Sequence, residues 1–442
     1  MDHLWLRFTR TDAQIELRQC LDEGKVLGDL RSEFDRVQAI ESDSNTIHGE
    51  VARLLDVSAD LPTRSDYAYV EPSPLEEIHA ECGSPPQRDW DDRIEDRIHG
   101  AWMGRCCGCL LGKPVEGWRR AQIQAFLQKT GQYPLQEYIH SGGGAEHPDP
   151  IAAGNLPFID RVSGMPEDDD LNYTVCGLSI YEKHGRGFRP EDVANHWMSN
   201  LPILHTCTAE RVAYRNFVNN IGPPESAVRG NPYREWIGAQ IRADFWGYAA
   251  PGNPRRAADF AWRDASISHV KNGIYGEMWA AAMISWALVC DDAREAIEVG
   301  MACIPKRSRL FEALDRQLRN RDSLPDASAA VEELHARWDE RDPHDWCHTI
   351  SNAEIVALAL LWGGGDFGRT LCIAVDAGFD TDCNGATSGS TMGAILGADG
   401  IPESWTEPLS DTLETGMAGF HRVSIRELAN RTVALIKREG RE

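Results

Sequence analysis

Along most of the chain apolar residues return every three to four positions, the spacing that lines up one face of a helix. The pattern predicts helices near residues 94–111, 171–183, 208–220, 275–290, 327–338 and 353–362. No stretch sustains the period of two that a half-buried strand needs, so the expected fold class is all-α. Residues 1–88 read differently: short helical patterns are interrupted by polar breaks, and residues 61–86 carry five prolines in PTRSDYAYVEPSPLEEIHAECGSPP. We expect a small helical N-terminal extension and linker over 1–88, followed by one main helical domain over 89–442.

Two of the helical stretches have an unusual stripe. Gly100, Gly104, Gly108 and Gly112 recur every four residues, and Gly385, Gly389, Gly393 and Gly397 do the same far downstream. Each glycine costs a helix roughly 1 kcal/mol relative to alanine, so close backbone contact is the expected compensation. A membrane reading of the stripe is weak, because Arg105 and Lys113 interrupt the first stretch and Ser/Thr residues the second. The stripes are expected to mark tightly packed central helices that share an interface.

Composition narrows the function classes. With 69 acidic against 45 basic residues the formal charge is −24, which opposes a polyanion, and no basic patch for nucleic acid is seen. Neither a signal peptide nor a membrane-length apolar run is found, so a cytoplasmic protein is expected. The 12 cysteines read as small buried apolar residues rather than a disulfide framework, and the 14 tryptophans as packing residues. A zinc site from Cys106, Cys109, His205, Cys207, Cys347 and His348 is disfavoured, since no second Cys-x-x-Cys accompanies the first.

The surplus carboxylates include two clusters. Glu167-Asp168-Asp169-Asp170 precedes a helical pattern; taken alone, the segment reads first as the acidic start of a helix, stabilised by the helix dipole, although four adjacent like charges exceed what a cap requires and lean toward a cation. Asp380-Thr-Asp382-Cys383 opens the second glycine stretch. Alternating carboxylates on a loop can converge on one cation, and a hard ion such as magnesium needs oxygen ligands of this kind. The spacing is not that of an EF-hand loop.

At these residues the chain resembles a known family. GAWMGRCCGCLLGKPVEGW, PEDDDLNYTVCGLSIYEKHG and DAGFDTDCNGATSGSTMGAILGADGIPESW, in that order, are similar to the ADP-ribosylglycohydrolases, the family of the dinitrogenase reductase-activating glycohydrolase. The resemblance implies an orthogonal helical bundle with a binuclear metal cleft, occupied by two Mg2+ ions with Mn2+ as the alternative. It implies metal ligands at Glu167, Asp168, Asp169, Asp380, Asp382 and Cys383, and a cleft carboxylate at Glu116. It also shows departures: Glu167, Asp170 and Cys383 stand where the family has threonine, and Cys109 where it has aspartate. A thiol is too soft for magnesium to prefer.

Catalytic roles are expected for Glu116, Asp168 and Asp382, one of which takes the proton of the attacking water. His269, Asn272, Gly273 and Tyr275, before and within the apolar stretch 275–290, and His348 and Asn352 are candidates for substrate contact. For His269 a structural role is the stronger reading of the residue itself. The expected activity is metal-dependent hydrolysis of a ribosyl glycosidic bond, releasing ADP-ribose from an ADP-ribosylated protein or small molecule. Two alternatives stay open: an N-glycosidase for a nucleoside-like metabolite, and a non-catalytic relative that keeps the fold. The retained repelling charges argue against the latter.

Overall fold

The computed structural model describes residues 7–40, 44–142 and 156–439. Among them the regular structure is 21 α-helices, short 3-10 turns and one two-stranded antiparallel ribbon, Thr412–Glu414 against Arg422–Ser424. The fold is all-α, and no helix among the described residues is long and apolar enough to cross a membrane.

At the centre lie the two glycine helices, Ile94–Gly112 and Thr381–Leu396. Both are buried on nearly every side, so neither needs a polar face. The stripes meet each other. A methyl group on Gly104 would lie 2.1 Å from the Gly389 carbonyl oxygen, and one on Gly108 would lie 1.9 Å from that of Gly385. Gly389 and Gly385 in turn face the Gly104 and Gly108 carbonyls. The shared interface expected from the sequence is thus a contact of backbone on backbone, which no side chain leaves room for. Around this pair pack Asp169–His184, Lys271–Ala287, Thr349–Gly363, Phe367–Asp376 and Ile425–Glu439.

The first residues form their own small apolar cluster, with Phe8, Leu30, Phe34, Val37, Val51, Leu54 and Leu55 packed between Arg10–Asp22, Leu30–Gln38 and Ser44–Ala59. Against the main body this layer presents charge. Glu16 on the first helix and Glu23 at its C-cap meet Arg234, at 2.6 and 2.9 Å, and Lys25 and Lys271 stand beside Glu23. Farther along, Arg309 pairs with both Glu71 (2.9 Å) and Glu235 (2.7 Å). The proline-rich stretch 61–86 runs over the surface of the domain, where Trp262 Nε1 donates to the Ser73 carbonyl at 2.8 Å.

Candidate metal centre and active site

The helix Asp169–His184 begins in the first acidic cluster. Asp168 is its N-cap and accepts the Asp170 amide at 2.8 Å, while Lys183 and His184 occupy the last turn where a helix favours positive charge. The second cluster starts the second glycine helix. The turn before it runs through Gly378 and Phe379 with φ of +79° and +58°; a left-handed phenylalanine is costly and persists only where its surroundings hold it. Phe379 is fully buried against His335. The strained turn delivers Asp380, whose carboxylate caps no amide of its own helix. Its backbone amide donates to Asn352 Oδ1, which also takes Asn384 Nδ2 at 2.8 Å.

The two clusters converge. Asp168, Asp170 and Asp382 lie together with the Cys109 thiol, and Asp380 and Asp382 lie with Cys383, each group within 4.8 Å atom to atom. Asp382 belongs to both. The first glycine helix ends in the turn Lys113–Val115, which brings Glu116 and Lys113 onto the same spot. Lys113 Nζ stands 2.5 Å from Asp168, 2.7 Å from Glu116 and 3.2 Å from Asp382. Beneath them, fully buried Arg105 pairs with Asp170 at 3.1 Å and Asp244 at 2.8 Å. The centre opens to solvent at Glu116, 40% of whose side chain is accessible, and at half-exposed Asp169.

Charge is out of balance here. Burial first, and neighbouring carboxylates second, push Asp380 and Asp169 well above the usual carboxylate range. Asp170 and Asp382 are raised by burial as well, against the opposing pull of Arg105 on the one and Lys113 on the other. Asp168 alone falls below its ordinary value: burial would raise it, but Lys113 and the Asp170 amide outweigh that. Glu116 is pushed up to about 7 by burial and by Asp382 and Asp168, with Lys113 opposing. Burial and the adjacent carboxylates keep Cys109 and Cys383 as thiols.

A hard cation fits this donor set. Asp382 Oδ1 and Asp170 Oδ2 are buried with no hydrogen-bond partner, and Asp380 and Asp382 abut each other as two acceptors with only a proton or a cation able to join them. Such oxygens are what magnesium or manganese takes.

The other residues singled out from the sequence lie elsewhere. Glu167 turns to the rim, held by His205 Nδ1 and by Asn172 Nδ2 at 3.2 Å, and stands outside both carboxylate groups. Asn352 is fully buried and spends its side chain on Asp380, Asn384 and the carbonyls of Trp346 and His348. It positions the second cluster. Asn272 Nδ2 donates to Glu71 (2.8 Å) and Glu235 (3.1 Å), Tyr275 O–H to the Pro72 carbonyl, and Gly273 lies under the Arg234 carbonyl. Asn272 and Tyr275 thus hold the 61–86 stretch, while Gly273 makes room for backbone of the main body. His269 is buried with Nδ1 on Ser268 Oγ at 2.8 Å, and burial lowers its pKa.

His348 joins His344 and Asp22 in a third group of metal-ligand types. Its hydrogen bonds argue against an ion. Trp236 Nε1 donates to His344 Nδ1 and the Ile350 amide to His348 Nδ1, so each ring carries its proton on Nε2, where a metal would need a lone pair. The residue the sequence reading passed over is Lys113. Its signal was present: a lone lysine in Gly-Lys-Pro, three positions ahead of Glu116 at the end of the first glycine stretch.

The frame is all-α, and its cleft gathers carboxylates at the N-termini of two buried helices. The model of the ADP-ribosylglycohydrolase family matches residues 90–442, and the chain belongs to that family. It is accordingly a glycosidic hydrolase of the ADP-ribosylglycohydrolase type. Among similar proteins, an uncharacterized protein of Archaeoglobus fulgidus is 24% identical over 72% of this chain and 93% of its own length. The ADP-ribosylarginine hydrolase Tri1 of Pseudomonas putida is 23% identical over 71% of this chain and 74% of its own. A solved structure described as an ADP-ribosylglycohydrolase-related protein complex overlaps 78% of this chain and 99% of its own, at 21% identity and a TM-score of 0.46.

Proposed function

We propose that this chain removes ADP-ribose from an ADP-ribosylated side chain or small molecule by hydrolysing the bond at C1″ of the ribose, with a divalent cation, magnesium or manganese, bound at Asp380 and Asp382. The observation that carries the reading is the convergence of carboxylates from Glu116, Asp168–Asp170 and Asp380–Asp382 on one solvent-open spot with too few cations to match them.

Breaking a glycosidic bond of this kind builds positive charge on the sugar ring, and a wall of carboxylates lowers the energy of that state. Glu116 is the group at the mouth and accepts a proton from the attacking water as the water oxygen bonds to C1″. The bond from C1″ to the leaving nitrogen or oxygen breaks, and the leaving group takes up a proton in turn. A carboxyl held near neutrality by its surroundings suits both halves of that exchange. When bound, the cation supplies polarisation of water and a hold on the ribose hydroxyls. Asp168, locked onto Lys113 and the Asp170 amide, stays ionised and fixes the floor of the site. The relative that hydrolyses ADP-ribosylarginine makes an arginine-linked substrate the first to try.

Chromatography of reactions with ADP-ribosyl-arginine, an ADP-ribosyl-serine peptide, O-acetyl-ADP-ribose and a nucleoside panel, with magnesium or with EDTA, tests the proposal. Free ADP-ribose formed only with the metal is the expected result. Release of a base from a nucleoside without ADP-ribose overturns it in favour of an N-glycosidase.

A further inference from the structure

The carboxylate centre already contains a cation. Lys113 Nζ reaches Asp168, Glu116 and Asp382 at 2.5, 2.7 and 3.2 Å, and an ammonium has three N–H donors for three such acceptors. Its place is set by the backbone: Lys113 opens the turn that ends the first glycine helix, and Gly112 presses that turn against the Thr381 carbonyl, leaving no space for a side chain on the glycine. Lysine and Asp382 are therefore brought together by a close contact of backbone on backbone.

The donors of the two carboxylate groups are then unequally free. In the group of Cys109, Asp168, Asp170 and Asp382, the ammonium takes Asp168 and one oxygen of Asp382. Arg105 takes one oxygen of Asp170. What remains is a thiol and single carboxylate oxygens, a poor set for a second hard ion. In the group of Asp380, Asp382 and Cys383 the lysine reaches only Asp382 Oδ2, and Asp382 Oδ1 is buried without a hydrogen-bond partner.

Building on the proposal that this centre binds a divalent cation, we infer that Lys113 is a resident counter-ion that takes the place of one of two metal ions, so that the centre holds a single divalent ion, at Asp380 and Asp382. The lysine also hydrogen-bonds Glu116 and so fixes the proposed proton acceptor in position without a metal bridge. It is a positioning residue, and the metal count is a property of this chain's own side chains.

Manganese titration of the full chain, followed by calorimetry and by the loss of the free-ion paramagnetic resonance signal, reads the count directly. Wild type should bind one Mn2+ per chain. Lys113→Met keeps the length of the stem and removes the charge; it should bind two, and its thermal midpoint should rise with added metal more than that of wild type. Lys113→Arg retains a cation and should stay at one. Two ions in wild type overturn the inference while leaving the metal site itself standing, because the lysine then moves aside. A count that stays at one in a Lys113→Met protein with native circular dichroism overturns it too. No binding in any of the three removes the metal site along with the inference. If Lys113→Met does not fold, the wild-type and Lys113→Arg counts still decide between one ion and two.

Discussion

Among the buried groups of carboxylates in the described residues, two differ in how their charge is met. Between the N-terminal layer and the main body, Glu16, Glu23, Glu71 and Glu235 face four cations, Lys25, Arg234, Lys271 and Arg309. In the centre between the glycine helices, Glu116, Asp168, Asp169, Asp170, Asp244, Asp380 and Asp382 face Lys113 and Arg105. The consequences run in opposite directions. Burial tends to raise Glu23 and Glu235, yet the cations beside them hold both below the usual range. Asp169, Asp170 and Asp380 are driven well above it. A balanced seam holds two parts of a chain together and needs nothing more. An unbalanced centre stays poised for a ligand that completes it, and this is how a cleft of buried acids differs from an ordinary ion-pair network.

The comparison predicts that substitutions in the centre cost activity and those in the seam cost stability. The largest effect is expected for Asp382→Ala, which removes the carboxylate shared by both groups; turnover should fall on the order of 10^3-fold with the circular dichroism spectrum unchanged. Steady-state rates on whichever ADP-ribosyl substrate the wild type cleaves check this. A rate within threefold of wild type would detach the centre from the chemistry. Next comes Arg234→Met in the seam, which strands Glu16 and Glu23 in a buried place. Breaking a buried pair in this way costs about 3–5 kcal/mol, seen as a lower urea midpoint, while the turnover of the protein that remains folded should be preserved.

Gly104→Ala tests what joins the two regions to one frame. Its methyl group would lie 2.1 Å from the Gly389 carbonyl oxygen, and because both atoms belong to backbone, the helices must separate. Overpacking of this kind costs about 3 kcal/mol, and here it also shifts Asp382 relative to Glu116. A joint loss of thermal stability and rate is expected. Stability lost without any loss of rate would mean that the helix contact does not set the site.

The helices of the main body were legible because buried helices repeat their apolar positions: the stretches expected at 94–111 and 353–362 appear as Ile94–Gly112 and Thr349–Gly363. The same holds for the acidic clusters, since adjacent repelling charges are visible in a linear sequence. What could not be read was pairing. Asn272 and Tyr275 sit where substrate contacts were expected, but they face Glu71 and Pro72 from a segment two hundred residues away in sequence. No local pattern announces that contact. Lys113 was hidden for a related reason: a lysine after a helix is ordinarily a solvated end, and only the folded chain shows it turned inward onto Asp168. The short ribbon Thr412–Glu414 with Arg422–Ser424 was missed because three-residue strands are too brief to show alternation.

The smallest expected effect gives the sign of the comparison a direct reading in pH. Glu23 is held at about 2, burial working to raise it while Arg234, Lys271 and Lys25 lower it by more, against Glu235. In the unfolded chain the same carboxyl takes up its proton near its ordinary value of 4.5. The unfolded state therefore binds more protons between those two values, and the stabilisation from Glu23 is complete above about 4.5 and lost as pH falls toward about 2. Glu23→Gln can keep a hydrogen bond to Arg234 but not the charge, so at neutral pH it should lower stability by about 1.5 kcal/mol. On acidification the gap between variant and wild type should close across that window, because the wild-type carboxyl becomes neutral as well. Urea midpoints at pH 7, 5 and 3.5 follow the change. A gap that persists undiminished at the lowest pH would show that Glu23 acts by shape alone, and the seam would then lose its claim to be a balanced counterpart of the centre.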